Sequence, residues 1–177
     1  MRANACGSQG AQRLNALLPQ ALARIAPEAR PEVRHQAGER GFELTRRAYE
    51  ELKVDATVVA FIDDMAAAYA WSDLAVCRAG ALTITELQAA GLAAVLIPFP
   101  AAVDDHQTKN AQVMVRIGAA RLVQERDLDA ESLSNLIAEL AADRARLRAM
   151  AAAARSAAIT DAAARLADVC LSAGAHA

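Results

Sequence analysis

Residues 74–86 read Leu-Ala-Val-Cys-Arg-Ala-Gly-Ala-Leu-Thr-Ile-Thr-Glu, and they contain the clearest structural signal in the chain. The apolar run at 74–77 is typical of a buried strand, and the small residues after it predict a turn. A helical pattern follows at once and ends near Gly91. The first turn of a helix has free backbone N–H groups and a partial positive charge. The stretch therefore predicts a strand–turn–helix unit that can hold a phosphate group.

Glu86 lies about one helical turn beyond that helix start. A carboxylate in this place can accept hydrogen bonds from sugar hydroxyls, so the combination indicates a nucleotide or nucleotide-sugar site. The alternative is a capped helix start of any α/β protein, with Glu86 as a solvated charge on its helix. The residues of this stretch alone leave both interpretations open.

Short apolar runs alternate with helical patterns along most of the chain. Strands are predicted at residues 33–36, 57–60, 74–77, 94–97 and 121–123. Helices are predicted at residues 11–25, 42–52, 64–71, 82–90, 106–117 and 129–140, and from 141 onward with a break at 159–161. This alternation indicates βαβ units. We therefore predict an α/β fold with a Rossmann-like parallel sheet and helices on both faces.

Ligands of such sheets bind beyond the carboxyl ends of the strands. Four segments with small or polar residues follow a strand, or the place where a strand is expected: 6–11, 61–65, 78–86 and 99–110. Because parallel strands end at one edge of a sheet, we expect these segments to converge there.

The start of the chain departs from this pattern. Gly7-Ser8-Gln9-Gly10 is typical of a phosphate-binding turn between a strand and a helix, but residues 1–6 make a poor strand. In the common strand order 3-2-1-4-5-6, the first strand is central. We therefore expect a first strand that is degenerate or missing, and a chain that is truncated or altered at its start.

Composition narrows the class of protein. The chain has 177 residues, enough for a substantial core, and aromatics make up 3% of it. The formal net charge of -2 gives no reason to expect a nucleic-acid partner. Three widely spaced cysteines (Cys6, Cys77 and Cys170) form no metal-type cluster and favour a reducing, cytosolic compartment. Neither a membrane span nor a signal peptide is evident in the sequence, so we expect a soluble cytoplasmic chain.

Two acidic pairs invite a metal interpretation. Asp63-Asp64 and Asp104-Asp105 lack an evident third ligand, so capping and solvation are favoured over metal binding. His35 is interpreted as structural, and Cys77 as a small buried side chain. No metal and no cofactor are expected.

A set of segments, taken together, resembles the C-terminal half of the MurG family. The segments are 7–11 (GSQGA) with Leu14-Asn15, His35-Gln36, 61–65 (FIDDM), 77–86 (CRAGALTITE), 97–100 (IPFP) and 105–111 (DHQTKNA). Their order and spacing match from Gly7 to about Ala167. MurG enzymes are bacterial glycosyltransferases that add N-acetylglucosamine to the lipid-linked muramyl-pentapeptide precursor of peptidoglycan.

The resemblance implies one half of a GT-B glycosyltransferase, in which two Rossmann-like halves enclose the active site. The C-terminal half binds the donor, UDP-N-acetylglucosamine, and the N-terminal half binds the lipid acceptor. On this basis we expect a UDP-sugar-binding domain at residues 1–158 and a C-terminal helix and tail at 159–177. The reaction is an inverting transfer to the muramyl 4-hydroxyl that converts lipid I to lipid II.

The resemblance also assigns site residues. Ile62 would meet the uracil through its backbone, Phe61 and Met65 would line that pocket, and Glu86 would bind the ribose hydroxyls. The groups at the diphosphate and the transferred sugar would be Ala81, Leu82 and Thr83 at the helix start, Ser8 beside the diphosphate, and Gln107 and His106 at the sugar hydroxyls. For His106, hydrogen bonding at a helix start is the alternative.

The family places its acceptor loop and its base in the N-terminal half, so no catalytic residue is expected in this chain and isolated turnover should be absent. The arginines at 144–165 are interpreted as a solvated helix face, with docking of the parent enzyme at the cytoplasmic face of the inner membrane as the alternative. Two other functions remain: an inactive UDP-sugar-binding fragment, or another UDP-N-acetylglucosamine enzyme such as an epimerase.

Overall fold

The computed structural model of the chain describes residues 1–6 and 11–174. Its centre is a six-stranded sheet in the order β3-β2-β1-β4-β5-β6, in which all neighbouring strands are parallel. The strands are β1 (Arg2–Cys6), β2 (Glu32–Gln36), β3 (Thr57–Val59), β4 (Leu74–Cys77), β5 (Ala93–Leu96) and β6 (Ala120–Leu122). The predicted Rossmann-like α/β fold is confirmed.

The first six helices each follow a strand, as the alternation predicts, and two more helices end the described part of the chain. They are α1 (Gln12–Ala23), α2 (Phe42–Glu51), α3 (Met65–Trp71), α4 (Ala81–Ala90), α5 (His106–Arg116), α6 (Ala130–Ala142), α7 (Arg144–Ser156) and α8 (Ala162–Gly174). Asp64 caps α3 by accepting a hydrogen bond from the Ala67 N–H at 2.8 Å. Asp129 forms a capping box with Ser132 at the start of α6. These carboxylates stabilise helix starts, as expected for such positions.

The expectation that the first strand is degenerate or missing is wrong. Residues Arg2–Cys6 form the central strand β1, which pairs with β2 on one side and with β4 on the other. Ladder hydrogen bonds on both edges hold this segment extended despite its weak strand propensity, because tertiary pairing outweighs intrinsic preference. Its small side chains suit the position, since Ala3 and Ala5 are buried beneath a helical layer at 5% and 2% exposure.

The core lies on both faces of the sheet. Leu74 and Val76 of β4 belong to one apolar cluster, which also includes Ala3 and Ala5 and is covered by side chains of α1 and α6. Cys77 belongs to the opposite cluster, with side chains of α4 and α5. This division follows the alternation of side chains along a strand. The predicted burial of Cys77 is confirmed.

His35 connects three elements at the end of β2. Its Nε2 lies 3.0 Å from Asn15 Oδ1 and its Nδ1 lies 3.0 Å from the Tyr49 hydroxyl. The Asn15 amide nitrogen donates to the Ala37 carbonyl at 2.8 Å, so its oxygen faces the imidazole and the proton belongs on Nε2. Burial lowers the pKa of His35 to about 4 and keeps the ring neutral. His35 therefore has a structural role, as interpreted from the sequence, because it connects β2 to α1 and α2.

Three of the four arginines of α7 form contacts within the chain. Arg144 bridges Asp73 at 2.9 Å, Arg146 pairs with Glu139, and Arg155 donates to a backbone carbonyl of α4. These contacts fasten α7 to its neighbours and favour a structural role for these side chains. Within the described residues, no helix has the length and apolar character needed to cross a membrane.

Candidate functional site

Three loops lie at the carboxyl end of the parallel sheet, because all of its strands end there. They follow β3, β4 and β5, and α3, α4 and α5 begin directly behind them. Gln107 ties two of the loops together. Its side-chain oxygen accepts hydrogen bonds from the Ala79 N–H at 3.2 Å and from the Phe99 N–H at 3.0 Å. The loops after β4 and β5 therefore form one connected surface.

Arg78, the first residue of the turn after β4, fixes this turn to neighbouring segments; we call its contacts the clamp. Its guanidinium donates to the Ile97 carbonyl at 3.2 Å and the Pro98 carbonyl at 3.1 Å, and it forms an ion pair with Glu125. The guanidinium carbon also lies 5.5 Å from the centre of the Phe99 ring, within the range of a cation–π contact. These contacts explain why the turn can hold a defined shape with only small residues.

The start of α4 is open toward this edge. Gly80 occupies the N-cap position with φ -62 and ψ 149, and it supplies no side-chain cap. Ala81 and Leu82 are exposed and Thr83 is half-buried. A methyl group added at Gly80 would meet only the Thr83 hydroxyl, at 3.5 Å. The first-turn N–H groups therefore border open space, which suits an approaching anion.

Glu86 lies on α4 near this opening and its side chain is held by a buried residue. One carboxylate oxygen, Oε2, accepts a hydrogen bond from the Tyr69 hydroxyl at 3.0 Å. Tyr69 belongs to α3 and is 7% exposed, whereas Glu86 is exposed. The carboxylate is therefore attached to the rigid layer beneath it.

Three predicted residues lie in the loop between β3 and α3 or at the start of α3. Phe61 is 69% exposed, Ile62 is half-buried, and Met65 packs against the apolar cluster that contains Cys77. The Ile62 N–H donates to the side-chain oxygen of Gln36 at 3.0 Å. The loop is thus fixed to the end of β2 rather than left free.

His106 and Gln107 begin α5, and the backbone before them has an uncommon form. Asp104 and Asp105 both adopt left-handed conformations, with φ 51 and φ 52. Such consecutive non-glycine residues are strained, and strained segments cluster at functional sites. His106 is exposed and Gln107 is half-buried. The remaining predicted site residue, Ser8, lies outside the described residues.

Several residues at this edge had no role assigned from sequence. Tyr69 holds Glu86, Gln36 holds Ile62, and Asn110 donates to the Ala79 carbonyl at 3.0 Å. Gln36 and Asn110 lie within motif segments, so their positions in the sequence were a usable signal. Tyr69 lies in an alanine-rich helix between two motifs, where no pattern separates it from an ordinary core residue.

A separate groove of about 890 Å³ lies between α1 and α2. Gln36 and Phe61 contribute to its lining, so it adjoins the loop after β3. It does not include the start of α4, Glu86 or Gln107. Among the described residues, no group of three or more histidine, cysteine, aspartate or glutamate side chains is arranged to hold a metal ion.

Curated relatives match nearly the whole chain. It is 56% identical over 168 residues to the UDP-N-acetylglucosamine–N-acetylmuramyl-(pentapeptide) pyrophosphoryl-undecaprenol N-acetylglucosamine transferase of Marinobacter nauticus, and 54% identical over 167 residues to the enzyme of the same name from Chromohalobacter salexigens. Each alignment covers 94% of this chain and 46% of the relative. The chain thus spans about half the length of the curated relatives it matches.

Solved structures agree with this placement. MurG of Acinetobacter baumannii superposes with a TM-score of 0.88 at 40% identity, covering 96% of this chain and 51% of that one. A putative UDP-N-acetylglucosamine 2-epimerase from Listeria monocytogenes gives a TM-score of 0.72 at 14% identity, covering 99% and 46%. The second likeness concerns the fold alone and does not favour an epimerase.

The family assignment rests on a match along most of the sequence. The profile of the glycosyltransferase family 28 C-terminal domain aligns with residues 5–166, a range that contains the last two residues of β1, all of β2 to β6 and the loops that follow β3, β4 and β5. With the parallel sheet and the 40% identical MurG structure in agreement, this chain belongs to the glycosyltransferase family 28 C-terminal domain family.

Proposed function

We propose that this chain is the donor-binding half of a MurG-type N-acetylglucosaminyltransferase and that it binds UDP-N-acetylglucosamine. The observation that carries the proposal is the convergence of the open α4 start, Glu86 and Gln107 on one edge of the sheet. The names of the 50–56% identical relatives supply the donor and the acceptor. Together with an acceptor-binding half, the chain would serve transfer to a lipid-linked muramyl-pentapeptide.

We assign the diphosphate to the start of α4, at Ala81, Leu82 and Thr83. The N–H groups of a first helical turn and the helix dipole attract negative charge. The same groups would stabilise the charge that grows on the departing UDP during transfer, because they are oriented before the reaction begins. Ser8 is assigned to the diphosphate on its motif.

The nucleoside is assigned to Glu86 and to the loop after β3. Glu86 would accept hydrogen bonds from the ribose hydroxyls, and Phe61 and Met65 would pack beside the base. The Ile62 N–H already donates to Gln36, so the Ile62 carbonyl is the backbone group that we assign to the imide N–H of uracil. A uracil would then be distinguished from a cytosine, which lacks that donor.

The transferred sugar is assigned to Gln107 and His106. Both hydrogen bonds described for Gln107 use its side-chain oxygen, so the amide nitrogen is the group that would donate to a sugar hydroxyl. His106 is exposed beside it at the start of α5. The strained backbone before His106 would help to set the direction of both side chains.

The reaction also needs a base that takes the proton from the attacking 4-hydroxyl. We place this base and the acceptor site in the other half of the parent enzyme. We further propose that the parent enzyme works in the cytoplasm and contacts the inner membrane peripherally, because its acceptor is lipid-linked. The isolated chain is then a binding module without turnover, arranged as a domain at residues 1–158 with a C-terminal helix and tail at 159–177.

Calorimetric titration of the chain with UDP, UDP-N-acetylglucosamine and CDP tests the proposal. The two uridine nucleotides should bind and CDP should bind at least tenfold more weakly. Glu86→Ala should weaken UDP binding about tenfold or more, as expected for the loss of a charged hydrogen-bond acceptor.

The matched control is Glu51→Ala, an exposed glutamate at the far end of α2, which should bind like the wild type. Absence of UDP binding in the wild type would refute the proposed function. Equal binding by the wild type and Glu86→Ala would refute only the ribose assignment. Production of lipid-linked disaccharide by the purified chain would show that the base lies in this half.

A further inference from the structure

We propose that Tyr69 is a positioning residue, which holds the Glu86 carboxylate in the orientation that a ribose requires. The inference rests on the proposed function, because it concerns how the nucleoside part of the donor would be bound. Tyr69 itself would not touch the ligand. Its role would be to make one carboxylate oxygen rigid so that the other is presented to the sugar.

A hydrogen bond links the exposed side chain of Glu86 to the buried side chain of Tyr69. The Tyr69 hydroxyl donates to Glu86 Oε2 at 3.0 Å. The Tyr69 ring is 7% exposed and packs in the apolar cluster with Ile84 and Leu87, which belong to the same helix as Glu86. An exposed glutamate samples many rotamers, and restricting them when a ligand binds has an entropic cost. A hydrogen bond formed in advance removes part of that cost.

The charge state of the pair favours this role. Burial raises the pKa of Tyr69 above its usual value, and the nearby Cys6, Cys77 and Glu86 raise it further. The phenol therefore stays neutral at physiological pH and can donate a hydrogen bond to the carboxylate. A hydrogen bond to an ionised acceptor is stronger than one between neutral groups. Oε2 is thus engaged, and Oε1 is the oxygen that we assign to the ribose.

A purely structural role predicts a different outcome. If the hydrogen bond only fastened α3 to α4, its loss would lower the stability of the whole edge and weaken every nucleotide alike. A positioning role predicts a loss confined to ligands that carry ribose hydroxyls. Comparing UDP with 2′,3′-dideoxyuridine 5′-diphosphate separates the two, because the second nucleotide offers Glu86 no hydroxyl.

The test uses Tyr69→Phe, which keeps the ring and removes only the hydroxyl. We expect its dissociation constant for UDP to rise about tenfold, and that for the dideoxy nucleotide to change less than twofold. The matched control is Tyr49→Phe, which removes a buried hydroxyl that bonds His35 and lies in the core cluster on the other face of the sheet. It should lower the melting temperature and leave both dissociation constants unchanged.

A second variant tests the link from the carboxylate side. In a Glu86→Gln background, adding Tyr69→Phe should weaken UDP binding less than it does in the wild type, because residues that act as a unit are not additive. Equal losses for UDP and the dideoxy nucleotide, or full additivity, would overturn the positioning role. So would unchanged UDP binding by Tyr69→Phe. If the wild type binds no UDP, the proposed function fails and this inference fails with it.

Discussion

The side-chain oxygen of Gln36 accepts a hydrogen bond from the backbone N–H of Ile62, at 3.0 Å and across 26 positions of sequence. Gln36 ends β2 and is 8% exposed, whereas Ile62 lies in the loop after β3. Two neighbouring backbone bonds run in the opposite direction, from the Ala37 N–H to the Val59 carbonyl and from the Gly38 N–H to the Ala60 carbonyl. The loop that we assign to uracil therefore takes its position from the strand beside it.

Replacing Gln36 should loosen that loop. Gln36→Leu removes the acceptor for the Ile62 N–H and leaves a partly buried donor without its partner, which costs about 1–2 kcal/mol of the free energy of unfolding. UDP affinity should fall about fivefold to tenfold, because the loop must order on binding. Urea unfolding and calorimetry measure the two effects. Gln20→Leu is the control, since Gln20 is exposed and bonds only within α1; an equal loss there would contradict the prediction.

The clamp beneath the β4 turn should be a large contributor to stability. Arg78 and Glu125 form an ion pair with side chains only 11% and 19% exposed. Arg78→Met breaks the pair, removes two bonds to carbonyls and leaves the carboxylate uncompensated, so we expect a loss of about 3 kcal/mol in urea unfolding. Arg126→Met changes an arginine that is 82% exposed and should shift the free energy by less than about 0.5 kcal/mol. A similar loss in the free energy of unfolding for both variants would contradict the prediction that the Arg78 contacts stabilise the chain.

The stability of the chain should depend on pH through His35. Burial lowers its pKa from 6.5 to about 4 in the folded chain, so between these values only the unfolded chain binds the proton. The free energy of unfolding is therefore unaffected by this histidine above pH 6.5. It falls as the pH decreases from 6.5 toward 4, by about 3 kcal/mol in total. Urea unfolding measured across pH 4 to 7 should show that the free energy of unfolding depends less steeply on pH for His35→Gln than for the wild type. Tyr49→Phe should keep the wild-type slope, since burial is the cause of the shift.

Two glycines should differ in how well they tolerate replacement by alanine. At Gly41 an added methyl carbon would lie 2.5 Å from both the Ala37 carbonyl oxygen and the Asn15 amide nitrogen, so Gly41→Ala should cost about 2 kcal/mol or more. At Gly80 the nearest atom is 3.5 Å away and φ is -62, so Gly80→Ala should change stability by less than about 0.5 kcal/mol. Thermal unfolding of both variants checks this. A destabilised Gly80→Ala would mean that the open space over α4 is smaller than described.

Much of the fold could be predicted because its signals are local. The strand Leu74–Cys77 and the cap at Asp64 lie where the pattern of apolar and capping residues placed them. These features depend on neighbours within a few positions, so a single sequence reveals them. The central strand β1 could not be predicted in this way, because its stability comes from pairing with β2 and β4, which are distant in the chain.

The sequence by itself determined the α/β class, the turn before α4 and the set of motif residues that share one edge of the sheet. Only the tertiary structure decided which groups those residues contact. It joined Tyr69 to Glu86, Gln36 to Ile62 and Gln107 to two separate loops. The reason is physical: periodicity reports which face of an element is buried, whereas a side-chain hydrogen bond depends on atoms that distant segments bring within about 3 Å.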